Sequence, residues 1–218
     1  MTDVYGRIAD RFTSRFLRSY TRSKLRCDPV YRAVFERLRG SPAPLFDVGC
    51  GIGLLEFFLR ESGFANPITG IDHDPRKVAE ANAIASSYGG LEFHAGDARD
   101  PMPVGANVAL LDVLHYFSDD DQSRILRNAA SAVAYGGVVI IRDAIRDGSL
   151  RYRITALQER FSRAIRWLRA ERLNFASQSQ ITAPFTGFTE EVVPMWGGTP
   201  FNNYLFVFRR SGEGMTKR

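Results

Sequence analysis

The chain has 218 residues, 44% hydrophobic and 24% charged, with a net charge of +5. That suffices for one sizeable core and makes two full domains an unlikely division of so short a chain. No apolar run approaches the roughly 20 residues that span a bilayer, and the arginine-rich start, MTDVYGRIADRF, has no apolar signal segment, while its Asp3 and Asp10 speak against a transit peptide.

In chain order, residues 3–22 read as one helix, with Tyr5, Ile8, Phe12, Phe16 and Tyr20 recurring every fourth position and Arg7, Arg11, Arg15, Arg18 and Arg22 on another face. A second helix starts at Asp28-Pro29, an N-cap followed by proline, and runs through Val30, Val34, Phe35 and Leu38 to Gly40. The breaker Ser41-Pro-Ala-Pro44 follows. Strand and helix signals then alternate. Strands are expected at Leu45–Val48, Pro67–Asp72, Leu91–Ala95, Asn107–Asp112 and Val138–Arg142, and helices at Gly53–Glu61, Pro75–Ser87 and Asp121–Ala134. Short apolar strands alternating with helices imply a parallel sheet covered on both faces. A long helical pattern follows: Leu150, Ile154, Leu157, Phe161, Ile165 and Leu168, accompanied by Arg151, Arg153, Arg160, Arg163, Arg166 and Arg169. Phe188–Val193 and Asn203–Phe208 read as two strands, an antiparallel edge on the sheet, and the tail 211–218 as disordered.

The first strand ends in Asp47 and a glycine turn, DVGCGIG (47–53). A P-loop needs Lys-Ser/Thr after its last glycine, where Leu54-Leu55 stand here. A dinucleotide turn wants its third small residue at 54, but it falls at Gly53. A carboxylate beside the turn suits a cation and repels phosphate. S-adenosylmethionine (SAM) fits, with its α-ammonium and sulfonium and no phosphate. Asp72 ends the second strand, at the place for ribose hydroxyls. Asp97 follows the third, placed to accept from an adenine amino group.

DVGCGIG (47–53), GIDHDP (70–75), GDAR (96–99), LLDVLHYFSDDD (110–121) and YGGVVIIRD (135–143) together resemble the class I SAM-dependent methyltransferases, in that family's order. The resemblance implies an α/β fold: a Rossmann-like, doubly wound, seven-stranded, mostly parallel sheet with an antiparallel C-terminal hairpin. It also implies one methyltransferase domain over 1–210: N-terminal helices as a lid (1–42), a SAM-binding core (43–143), a helical cap after strand five (144–185) and the hairpin (186–210). Asp47, Gly49, Cys50, Gly51 and Gly53 would line the methionine end of SAM. Asp72 and His73 would lie at the ribose side, Asp97 and Ala98 at the adenine, and Asp112 to Tyr116, Val113 included, toward the methyl group. YGRIADRF (5–12) is similar to the start of many small-molecule methyltransferases. SKLRCDPVYRAVFERL (23–38) and GGTPFNNYLFVFRR (197–210) are similar to methyltransferases of aryl-polyene pigment gene clusters, which implies an aryl or acyl acceptor, free or on an acyl carrier protein.

His115 is the candidate general base, since histidine titrates near neutrality. Its alternative is a histidine bonded to backbone beside the cofactor. Asp143, at the end of the fifth strand, is a second catalytic candidate or a helix cap. His94 reads as a satisfied core or strand histidine. Tyr5 and Tyr20 can cover the sulfonium or simply pack. Tyr116 and Trp196 are candidates for the acceptor pocket. Cys50 is a small filler. The arginine stripes are solvated helix faces or a docking surface for an anionic carrier protein. Cys27 and Cys50, with histidines at 73, 94 and 115, make neither a disulfide framework nor a metal site, so a reducing, cytoplasmic setting is expected. An RNA or protein acceptor, an NAD(P)-dependent oxidoreductase and an inactive SAM-binding partner subunit remain the alternatives. Nucleic acid is disfavoured, because no N/D-P-P-Y/F motif, no Pro-Cys nucleophile and no RNA-binding module is visible.

Overall fold

The computed structural model describes residues 3–152, 173–196 and 202–212. Seven strands form one sheet: β1 (Leu45–Val48), β2 (Ile68–Asp72), β3 (Leu91–Ala95), β4 (Asn107–Leu111), β5 (Val138–Ala144), β6 (Phe188–Pro194) and β7 (Asn203–Arg210). Their order is β3-β2-β1-β4-β5-β7-β6. The first five are parallel, and β7 runs antiparallel between β5 and the edge strand β6. The expected antiparallel edge is present, and the later strand of the pair is the one that joins the sheet.

The burial of each strand follows its position. β1 and β5 are buried throughout, as strands covered on both faces must be, whereas β6 is mostly exposed. Side chains alternate between two cores. Leu45, Ala109, Ile140 and Val207 face one, and Phe46, Val108, Ile141 and Phe206 face the other. The helices α4 (Leu54–Glu61) and α5 (Pro75–Ala85) cover the first face, and α6 (Asp119–Ala132) the second, joined by α7 (Gln178–Thr182). Ser118 caps α6 by accepting from the Asp121 N–H, and the helix starts at Asp119, two residues earlier than the sequence places it.

The N-terminal stretch corrects one expectation. Residues 3–22 are not one helix but α1 (Val4–Ala9) and α2 (Arg15–Cys27), parted at 10–14, followed by α3 (Val30–Leu38). Ser14 accepts from the Leu17 N–H and starts α2. The break leaves Ile8 and Phe12 in the core, while Phe16 and Tyr20 stack on each other at the surface, 54% and 39% exposed. Much of the arginine stripe is used internally. Arg7 grips Glu61, Arg11 lies over the Tyr88 ring, Arg18 donates to the Phe12 carbonyl and Arg22 pairs with Asp10. Ile8, Phe12, Leu25, Val30, Tyr31, Val34 and Leu38 join the same core as α4 and α5, so α1–α3 are built onto the first face. The second arginine stripe beyond Arg151, residues 153–172 of the cap, and the tail from 213 on lie outside the described residues.

Candidate active site

The parallel register brings the carboxyl ends of β1, β2, β4 and β5 to one edge of the sheet. Gly49, Gly51 and Gly53 all have positive φ, as the turn after β1 requires. The Gly49 and Cys50 N–H groups donate to the Ile71 carbonyl at 2.7 and 2.9 Å, which pins the turn across β2. A Cβ on Gly49 would lie 2.3 Å from Val113 Cγ2, so the turn and the end of β4 are in direct contact. At Gly51 a Cβ would meet nothing within 4 Å, which leaves that face of the turn open to a ligand.

Asp72 is buried and braces this turn. Its Oδ2 accepts from the Gly51 N–H and its Oδ1 from the Asp74 N–H, both at 2.9 Å. His73 is exposed, with Nδ1 3.4 Å from Asp72 Oδ1. Asp97 differs from its expected availability: Arg99 holds it with a fork of hydrogen bonds and its own N–H. That guanidinium keeps the Asp97 carboxyl low, at about 2. Ala98 beside it is buried. His94 is an exposed residue of β3 beside Glu92, not a core histidine.

Asp47 is buried at the end of β1, and its partner was missed by the sequence reading. Glu56, in the first turn of α4, is fully buried close to Asp47. Burial pushes both carboxyls up, Asp47 to about 7. Burial also raises the Cys50 thiol, which keeps it a neutral filler. Orphaned acid oxygens here, with an open glycine turn above, fit a ligand bearing an ammonium and no phosphate.

His115 lies in the 3-10 turn Leu114–Tyr116 after β4, and Asp143 lies in β5. The structure brings the two catalytic candidates together: Nδ1 of His115 is 2.6 Å from Oδ1 of Asp143. Asp143 also accepts from the backbone N–H groups of His115 and Ala144, and both side chains are buried. A carboxylate only accepts, so Nδ1 carries the proton and Nε2 has the lone pair in the neutral ring. Tyr116 and Phe175 flank the imidazole at 4.2 and 5.4 Å between ring centres. The Asn174 N–H donates to the His115 carbonyl, and Gln122 donates to the Asn174 carbonyl, so the returning chain is tied over the histidine. Trp196 packs against Tyr204, the register partner of Asp143, and lies under the Arg151 guanidinium. Phe175 and Asn174 carried no sequence signal.

Asp112 has a positive φ of 60° and pairs with the buried Arg142, which also reaches Asp28 at 3.1 Å. Lys24 meets the same Asp28 oxygen at 2.8 Å. Tyr20 is exposed at the edge of this cluster, near Tyr31. Tyr5 stacks on Phe58 of α4, at 6.3 Å between ring centres.

The strand order and the helices on both faces are those of a Rossmann-like methyltransferase fold. Residues 45–137 match the family described as a methyltransferase domain. Eugenol O-methyltransferase of Sorghum bicolor is 36% identical over 119 residues, 53% of this chain and 30% of that protein. Demethylspheroidene O-methyltransferase of Cereibacter sphaeroides is 32% identical over 153 residues, 67% of this chain and 39% of that protein. The matched stretch thus spans about a third of the curated relatives' length. Among solved structures, magnesium protoporphyrin IX methyltransferase of Synechocystis with bound SAH is 20% identical, covers 96% of this chain and 94% of its own, and has a TM-score of 0.66. An O-methyltransferase family protein of Burkholderia thailandensis is 19% identical, covers 93% and 62%, and has a TM-score of 0.68. No helix among the described residues is long and apolar enough to cross a membrane.

Proposed function

We propose that this chain is a SAM-dependent O-methyltransferase acting on the hydroxyl of a small molecule, with an aromatic acceptor favoured. The observation that carries the reading is the His115–Asp143 pair, 2.6 Å apart, at the edge where Val113 meets the glycine turn. SAM supplies a methyl group already activated on a sulfonium, so the protein's tasks are alignment, exclusion of water and handling one proton. Asp47 and the turn Gly49–Gly53 hold the amino-acid end, Asp72 the ribose, and the Asp97–Ala98 segment the adenine. Nε2 of His115 takes the acceptor's hydroxyl proton, while Asp143 fixes the tautomer and steadies the imidazolium that forms. Tyr116, Phe175 and Trp196 form the apolar surround that suits an aryl group. The O-methyltransferase names of the relatives support this choice over N- or C-methylation.

A carrier-bound acyl acceptor, of the kind found with aryl-polyene enzymes, has less support. Arg7, Arg11, Arg18 and Arg22 already hold partners within the chain, although α2 presents an open groove lined by Arg15, Arg18, Ser19, Arg22, Ser23 and Arg26. The test is direct. SAH should raise the melting temperature and NADH should not. With SAM, a panel of small phenols should yield a methyl ether that His115→Ala cannot make. Stabilisation by NADH and not SAH would end this reading.

A further inference from the structure

Asp47 and Glu56 are 3% and 0% exposed, and among the described residues no outside donor reaches three of their oxygens, Oδ1 of Asp47 and both of Glu56, which leaves the two carboxyls to each other. An apolar side chain would fill the place of Glu56 at far lower cost, as its neighbours Leu54, Leu55, Phe57, Phe58 and Leu59 do. The fold also makes room for this acid. A Cβ on Gly70 would come within 2.7 Å of Glu56 Oε1 and 2.8 Å of Cys50 Cβ, so β2 passes under the turn as glycine. The groups facing Glu56 are Asp47 from β1, Asp72 from β2 and the Cys50 thiol from the turn. None is a cation. Two carboxyls so close in a dry interior cannot both ionise unless a cation arrives.

We infer that Asp47 and Glu56 form a proton-sharing carboxyl pair that receives the α-ammonium of the bound cofactor and releases one proton to solvent as it does so. This inference rests on the SAM reading above. The charge balances: the free pair carries one proton and one negative charge, and the occupied pair carries two negative charges opposed by the ammonium. Burial pushes both carboxyls up, Asp47 to about 7, and the facing Asp47 raises Glu56 further, which sets the exchange in the neutral range. A group raised in the free protein and lowered by its ligand makes affinity climb with pH through the raised value and level off above it.

Calorimetric titration of the full chain with SAH, in phosphate and in Tris at about pH 7, reads the exchange directly, with release of about one proton per SAH bound. In Glu56→Gln the release should vanish, and SAH affinity should become flat across neutral pH. Binding without proton release in the wild type, or equal release in Glu56→Gln, would overturn the pair. The wild-type measurement decides even if the variant folds badly. If the wild type bound no SAH at all, the cofactor assignment itself would fall, and the pair with it.

Discussion

Nδ1 of His115 and Oδ1 of Asp143 stand 2.6 Å apart, brought together from the turn after β4 and from β5 itself. If this is the base and its orienting carboxylate, His115→Ala should lower kcat by about 10²–10⁴-fold and leave SAH affinity nearly unchanged. Asp143→Asn should also lower kcat, because an amide no longer fixes the Nδ1–H tautomer. Steady-state kinetics beside SAH calorimetry separate the two effects. Full activity in His115→Ala would leave the pair a structural feature.

Asp72 braces the glycine turn, and the proposed function gives it a second duty toward the ribose. Asp72→Ala should weaken SAH binding by about 1–3 kcal/mol. It should also lower the melting temperature, since the Gly51 and Asp74 N–H groups lose their acceptor. Unchanged affinity with a lowered melting temperature would leave only the bracing role.

Gly49→Ala should destabilise the fold by about 1–3 kcal/mol, from a positive φ and from overpacking against Val113. Adding Val113→Ala should recover part of that loss by removing the clashing Cγ2. Urea denaturation of the single and double variants measures the coupling. Simple additivity would mean the turn yields without disturbing the end of β4.

Arg142 joins Asp28, between α2 and α3, to Asp112 at the end of β4. Arg142→Met should cost about 3 kcal/mol, the low end for breaking a buried pair, since Asp112 is over a third exposed. Burial opposes the charge of Asp28, but Arg142 and Lys24 outweigh it and hold that carboxyl below its ordinary value. A depressed carboxyl gives stability above its unfolded pKa and loses it as pH falls through the folded one. The gap between wild type and variant should therefore narrow on acidification, below about pH 4. A gap that stayed constant there would assign the cost to packing.

Much of the sheet was legible because strands and turns obey local rules. Leu45–Val48 and Leu91–Ala95 fall where apolar runs end at turns, and Asp47 and Asp97 lie at those ends. The break between α1 and α2 was not legible, because the spacing of Phe16 and Tyr20 continues that of Phe12. Only the packing of Ile8 and Phe12 against the core decides against it. Glu56 and Arg142 were missed as partners for one shared reason. Glu56 is a single charge within an apolar run and Arg142 follows one directly, and such a run names the element without naming what the charge faces. The meeting of His115 with Asp143 depends on the pairing of β4 with β5, which no local pattern carries.

The contact between Val113 and Gly49 makes the two halves of the site one mechanical object. If the proposed function holds, any change at position 113 made to reshape the acceptor side also tightens or loosens the support of the turn that would hold the cofactor. Acceptor range and cofactor affinity would then be inherited together, and selection for a new acceptor would have to act first on residues away from that seam, such as Tyr116 and Phe175.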